Sequence, residues 1–448
     1  MFLINIHAPT LTLQINSDCL NSVFIFLVVK SGLSSRLPTD LYRNRPEVFD
    51  TDAGCRIPTR SISECGGSQD RLRGNQAVFL NYLCHSSLDL TSIVSEMCDF
   101  SCYNGTSEEW LALERTFPPP AHPEPSLAEM KRQANEEREA LSRKAMRVLA
   151  HQVKTRDYAI PSRDGSTIEA RSYRPVNVPE DMALPLYIHL QGGGFMFGTL
   201  DSEDAICTRI ACGSEVVVLN VNYRHTPEFT HPTQWNDAED AFEWAHDNMA
   251  KLCCNPNKVV LGGISAGAWV ASSLTLDRHL NRENNRRPPL AGQVLMIPCL
   301  AHLDCYEPQL KKMKHHSVSS YKENELAPLL SVSELRYFTS FLKIENPDVK
   351  DVKLNPGNAT PAQVKGMPPT VLGIVGLDPL RDEALLYAKM LTEAGVPTDV
   401  NLFIGLPHGF RSYEEKLSAS ARWDRVIEEG ICWALSGPSP SNEFHVKT

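Results

Sequence analysis

Apolar and polar positions along the chain fall into distinct regimes. From Val153 to Ile160 and from Thr167 to Arg174 they alternate, the period of strands with one wet face. The Arg163-Asp164-Gly165 turn between them makes the pair a hairpin. Beyond it come short, mainly apolar runs: Leu186–Leu190, Val216–Val221, Val259–Leu261, Gln293–Ile297, Thr370–Gly376 and Thr398–Ile404. Such runs suit strands covered on both sides. Helix-period segments lie between them: Asp201–Cys212, Asn236–Met249, the stretch after Gly267, one ending at Ala394 before Gly395, and one from about Ser418 to Leu435. Strand and helix in alternation imply a parallel sheet with right-handed crossovers. The expected fold class is therefore α/β, with a mostly parallel central sheet flanked by helices.

Outside this region the pattern is weaker. Residues 1–104 lack sustained periodicity and are expected to form a poorly ordered or irregular N-terminal extension. The apolar run Val23–Val29 is too short to span a bilayer, and no Lys or Arg precedes it as a secretory signal would require. It reads as a buried strand or a stray apolar segment. Ser107–Phe117 reads as a short helix with Trp110, Leu111 and Leu113 as its apolar side. Prolines 118–120, 123 and 125 then form a stiff linker. Ser126 and Glu129 make a capping box for a helix to about Leu149, whose charge run reads as a solvated face. Residues 105–150 thus form N-terminal helices and a linker, and 151–436 the main domain. Within it, about 299–365 interrupts the alternation, as a lid or pocket wall would. The Ser/Pro-rich residues 437–448 read as a loose tail.

Composition removes several function classes. The chain of 448 residues is 42% hydrophobic and 22% charged, as expected of a globular protein. Its net charge is −10 and no dense Lys/Arg stripe is present, which argues against a nucleic-acid partner. None of the 13 cysteines falls into paired C-x-x-C spacing, so neither a disulfide framework nor a zinc site is expected. A reducing, cytoplasmic setting is the simpler reading. His315-His316 has no carboxylate at ligand spacing and reads as a surface pair. No cofactor, metal or membrane span is expected, and homodimerisation is left open.

The candidate chemistry gathers at strand ends. Gly263-Ile264-Ser265-Ala266-Gly267 lies between a strand and a helix. Gly-x-Ser-x-Gly in that setting holds a serine oxygen out on a sharp turn, where flanking side chains would clash. Gln191-Gly192-Gly193-Gly194 follows an earlier strand. Its backbone N–H groups can approach an anion closely, although three glycines can also be flexible filler. Asp378 and His408 each sit just past a later strand. The order serine, acid, histidine matches the Ser-His-Asp arrangement of α/β hydrolases. Ser265 would be the nucleophile, His408 the base and Asp378 its orienter. The N–H groups of Gly192, Gly193 and Ala266 would form the oxyanion hole. Asp382 is a rival acid, and Asp378 is preferred because it lies closer to its strand end.

The stretches LQGGGFMFGTL, VNYRHTPE, GGISAGA, GLDPLRDEAL and GLPHGF resemble the hormone-sensitive-lipase-like group of α/β-hydrolase esterases. The resemblance covers about residues 107–436 and looks most like fungal members. It implies an α/β-hydrolase fold with a helical cap built from the 107–150 helices and the 299–365 insertion. It also maps the family's acid onto Asp378, thirty residues before His408. One departure stands out: the family usually has His-Gly-Gly-Gly, and this chain has Gln191 in place of that histidine. The implied activity is that of a serine carboxylesterase on a small or medium apolar ester, in a setting such as fungal secondary metabolism. A small-molecule-binding protein, an acyltransferase or a dehydratase on the same fold are the alternatives.

Overall fold

The computed structural model describes residues 2–6, 11–16, 24–29, 97–118, 125–284 and 286–448. The chain divides into two units, Met1–Leu88 and Asp89–Thr448. In the first, Phe2–Ile6, Leu11–Asn16 and Phe24–Val29 pair into an antiparallel three-stranded sheet. The rest of the expected irregular extension falls largely outside the described residues, as does most of the proline linker.

The second unit is built on nine strands: β1 (Val153–Pro161), β2 (Thr167–Pro175), β3 (Leu184–Leu190), β4 (Val217–Asn222), β5 (Cys254–Ile264), β6 (Gly292–Met296), β7 (Thr370–Leu377), β8 (Thr398–Pro407) and β9 (Val446–Lys447). Their order across the sheet is β9-β8-β7-β6-β5-β3-β4-β2-β1. The β1–β2 hairpin and the β2–β4 pair are antiparallel, and every other pairing is parallel. The main helices are α1 (Glu108–Glu114), α2 (Leu127–Leu149), α3 (Leu200–Ser214), α4 (Thr233–Asp247), α5 (Ala266–Leu280), α6 (Val332–Ser340), α7 (Arg381–Glu393) and α8 (Ser420–Leu435).

The mainly apolar runs are explained by burial on both faces. Leu186, Ile188, Val217, Leu219, Leu372 and Ile374 point to one side, against Trp235 and Phe242 of α4 and Val270 of α5. Their neighbours Tyr187, Val218, Val371 and Val375 point to the other, against Ile210 of α3 and Trp423 and Ile427 of α8. Period-two alternation thus divides one apolar run between two cores. The tail, expected to be loose, lays β9 along β8, where Lys447 O accepts from Arg422 Nη2 at 3.1 Å.

Two readings of α2 need correction. Ser126 Oγ caps Glu129 N at 3.3 Å, but the Glu129 carboxylate turns to Arg132 and Gln133 and so does not complete a capping box. The charged face is not simply solvated, because part of it is the face that docks. Leu141 and Val148 are exposed, whereas Ser142 is the buried residue of the helix. The docking partners are α3 and the loop that leads into it, where Asn135, Arg138 and Ser142 make hydrogen bonds.

Register places the candidate residues. Leu190 of β3 pairs with Gly263 of β5, so Gly192–Gly194 and Ser265 leave adjacent strands side by side. Leu377 pairs with Pro407, which sets Asp378 beside His408. The chain reverses direction across the sheet around β3, β4 and β5, which is where open α/β sheets form their crevice.

Candidate active site

The turn at Ser265 is tight for a reason visible atom by atom. A Cβ at Gly263 would meet the Gly267 backbone and the Leu190 carbonyl; one at Gly267 would meet the Leu190 and Gln191 carbonyls. Without side chains there, α5 starts hard against β3. Ser265 takes φ 53° and ψ −117°, a conformation a non-glycine residue holds only when its surroundings impose it. Its N–H donates to Met296 O at 2.8 Å, and its carbonyl accepts from Trp269 N at 3.0 Å.

His408 lies between the other two candidates. Its Nε2 is 2.8 Å from Ser265 Oγ, and its Nδ1 is 2.8 Å from Asp378 Oδ2. Asp378 is buried, and its Oδ1 accepts from Leu380 N at 2.9 Å. The second oxygen is therefore left to the imidazole. Asp382, the rival acid, accepts from Ser320 N at 2.7 Å and from Arg381 Nε at 2.8 Å, away from His408. The insertion also steadies the acid loop: Asn324 Nδ2 donates to Gly376 O and Asp378 O, at 3.2 and 3.0 Å.

Gly192, Gly193 and Ala266 line one cavity of about 590 Å³ together with Ser265 and His408. Its walls are largely apolar and include Phe197, Trp269, Ile297 and, from α6, Leu335 and Phe338, while Glu137 and Arg138 of α2 also line it. Gly193 has φ +135°, and a Cβ there would strike Phe197 O. Only glycine fits this loop.

Gln191 is fully buried beneath the loop. Its Nε2 donates to Asn222 Oδ1 at 3.1 Å and to His225 Nε2 at 2.9 Å, and its carbonyl accepts from Tyr223 Oη at 2.7 Å. Burial, then the charges of Lys131 and Arg138, pushes His225 down to about 4, so the ring is neutral and able to accept. Gln191 thus supports the loop by hydrogen bonds, as its amide chemistry allows.

Sequence reasoning missed a second layer. Arg138 of α2 donates from Nη1 and Nη2 to Gly192 O, both at 3.1 Å, and from Nη2 to Glu203 Oε1 at 2.8 Å. Glu203 is buried, and its other oxygen accepts from His189 Nε2 at 3.0 Å. Burial pushes the Glu203 carboxyl up, but the His189 hydrogen bond and the Arg138 charge outweigh it and bring it down to about 2. The available signal was spacing. Lys131, Asn135, Arg138 and Ser142 recur at helical period, and a polar face at that period can dock as an apolar one does.

Among the described residues, no group of three or more His, Cys, Asp or Glu is arranged to hold a metal ion. No helix there is long and apolar enough to cross a membrane. A profile of the α/β hydrolase fold matches residues 186–412. The chain belongs to the α/β hydrolase family. The resemblance read from the five motifs is thereby borne out. This α/β hydrolase is 33% identical over 290 residues to an AB hydrolase superfamily protein of Schizosaccharomyces pombe, covering 64% of this chain and 82% of the relative. It is 31% identical to the carboxylesterase NlhH of Mycobacterium tuberculosis, over 58% of this chain and 76% of that one. It is 29% identical to the versiconal hemiacetal acetate esterase of Dothistroma septosporum, over 56% and 74%. Among solved structures, vibralactone cyclase aligns with a TM-score of 0.67 and 26% identity, over 76% of this chain and 98% of that one. The thermostable carboxylesterase EstE1 aligns with a TM-score of 0.58 and 29% identity, over 70% and 99%.

Proposed function

We propose that this α/β hydrolase is a serine carboxylesterase acting through Ser265, His408 and Asp378. The observation that carries the reading is the imidazole held at 2.8 Å from both Ser265 Oγ and Asp378 Oδ2. Ser265 Oγ attacks the ester carbonyl as His408 Nε2 takes its proton. The collapsing adduct expels the alcohol, which receives that proton, and leaves an acyl-serine. Water activated by the same imidazole then releases the acid. Asp378 keeps Nδ1 protonated and stabilises the imidazolium. The N–H groups of Gly192, Gly193 and Ala266 take the developing oxyanion, each worth roughly 3 kcal/mol.

The cavity supports a small or medium apolar ester, since its volume lies in the small-molecule range and its cap wall is apolar. Relatives named carboxylesterase and acetate esterase favour the same class. The Dothistroma relative, named for the acetate of a complex fungal metabolite, supports a role in secondary metabolism. The cytoplasm is the compartment proposed, because none of the 13 cysteines falls into the paired C-x-x-C spacing of a disulfide or zinc framework. The likeness to a cyclase favours a second reading, in which a substrate hydroxyl instead of water takes the acyl group.

The test is hydrolysis of p-nitrophenyl esters of increasing acyl length by the wild type and by Ser265→Ala. Turnover by the wild type, lost by at least about 10³-fold in the variant, supports the reading. Equal rates from both proteins overturn it.

A further inference from the structure

We propose that Arg138 is a positioning residue for the oxyanion hole: by holding the Gly192 carbonyl, it aims the Gly193 N–H at the reacting centre. This rests on the esterase reading above. The Gly192 carbonyl and the Gly193 N–H belong to one planar trans peptide and point in opposite directions. Fixing one end of that peptide fixes the other. Two guanidinium nitrogens hold the carbonyl at 3.1 Å each, and the Nη1 nitrogen lies only 2.7 Å from where a Cβ on Gly193 would be. Gly193 at φ +135° has no side chain to set its orientation, so the peptide needs an outside restraint.

Arg138 is itself held. Glu203 binds it, and His189 binds Glu203 inside the core. The rest of the same helix face is fastened to the backbone that continues this loop. Asn135 Oδ1 accepts from Gly198 N at 2.8 Å, Glu139 Oε1 from Thr199 Oγ1 at 2.9 Å, and Ser142 Oγ from Ala205 N at 3.2 Å. The cap helix is therefore more than a lid. It is the part that sets the direction of an oxyanion donor, so transition-state stabilisation depends on how α2 is docked.

The experiment compares wild type, Arg138→Met, Arg138→Lys, Arg138→Ala and Arg132→Met on a short p-nitrophenyl ester. Affinity for a trifluoromethyl ketone, which forms a tetrahedral adduct with a serine, is measured alongside. Arg138→Met is expected to lose roughly ten- to a hundredfold in kcat, with KM within about threefold, because one donor is mis-aimed while the apolar walls that hold the ester remain. Ketone affinity should fall by the same factor. Arg138→Lys keeps the charge but not the fork, and should fold and lose activity as well. Added guanidinium ion, well below denaturing concentration, should restore part of the Arg138→Ala rate. Arg132→Met removes contacts to Glu129 and Glu136 within the same helix, and should leave kcat within about twofold. If the Arg138 variants match Arg132→Met in kcat and ketone affinity, the contact is merely structural and the inference falls. A wild type that turns over, with Ser265→Ala dead, separates that outcome from failure of the esterase reading. No turnover by the wild type overturns both.

Discussion

Replacing Asp378 by asparagine tests the tautomer logic of the site. Asp378 Oδ1 accepts from Leu380 N at 2.9 Å, while Oδ2 faces His408 Nδ1 at 2.8 Å. An asparagine must still offer an oxygen to the Leu380 N–H, because a buried donor left without a partner costs about 1–3 kcal/mol. Its NH2 group is then turned toward His408. Nδ1 becomes an acceptor, the ring proton moves to Nε2, and Nε2 donates to Ser265 Oγ when it should accept. The base is present but in the wrong tautomer. The comparable change in a serine protease lowers kcat about 10⁴-fold, equivalent to about 5.5 kcal/mol of barrier, and a loss of that order is expected here. The assay is kcat on a p-nitrophenyl ester, with thermal unfolding to show that the fold survives. A loss below about tenfold in a well-folded variant would refute the assignment of Asp378 as the orienting acid.

Three further outcomes follow from the packing and the charges. Gly267→Ala places a Cβ against the Leu190 and Gln191 carbonyls, backbone that cannot swing aside, and should destabilise the protein by about 3 kcal/mol or more in denaturant titration; an unchanged midpoint would contradict the tight-turn account. Phe338→Ala opens the cap wall over the cavity and should raise kcat/KM for an octanoyl ester relative to an acetyl ester by roughly fivefold or more, whereas an unchanged ratio would place the acyl group elsewhere. Burial, then Asp424, pushes Glu428 up to about 7 from an ordinary 4.5, so the native state holds a proton that the unfolded chain gives up between those values, and stability falls as pH rises through that window. Glu428→Gln should therefore raise Tm more at pH 8 than at pH 4, and an equal gain at both would sink the argument.

The sheet was legible because most of its runs are mainly apolar, and such runs admit few arrangements other than strands covered on both sides. The placement of Ser265, Asp378 and His408 was legible because each follows a strand, so that register alone brings them to one edge. The loop at Gly192–Gly194 was legible through its glycines. What escaped was the polar support. Lys131, Asn135, Arg138 and Ser142 look like a solvated face when apolar residues are assumed to mark the docking side. Their partners are loop carbonyls and N–H groups, an N–H in the first turns of α3, and the carboxylates of Glu203 and Glu228, and those leave no trace in a hydrophobic pattern. His189 sits in the apolar run of β3 and Glu203 among polar residues at the start of α3, and only their proximity in space makes them a pair.

The central claim is that Ser265 carries the acyl group between the two half-reactions. The most direct measurement is intact-protein and peptide mass spectrometry after rapid acid quench of wild type mixed with a p-nitrophenyl ester. The account predicts a mass gain of one acyl group on the peptide containing Ser265, formed during a burst of p-nitrophenol and absent from Ser265→Ala. An adduct that persists in Ser265→Ala, or turnover by the wild type with neither burst nor adduct at any quench time, would contradict it.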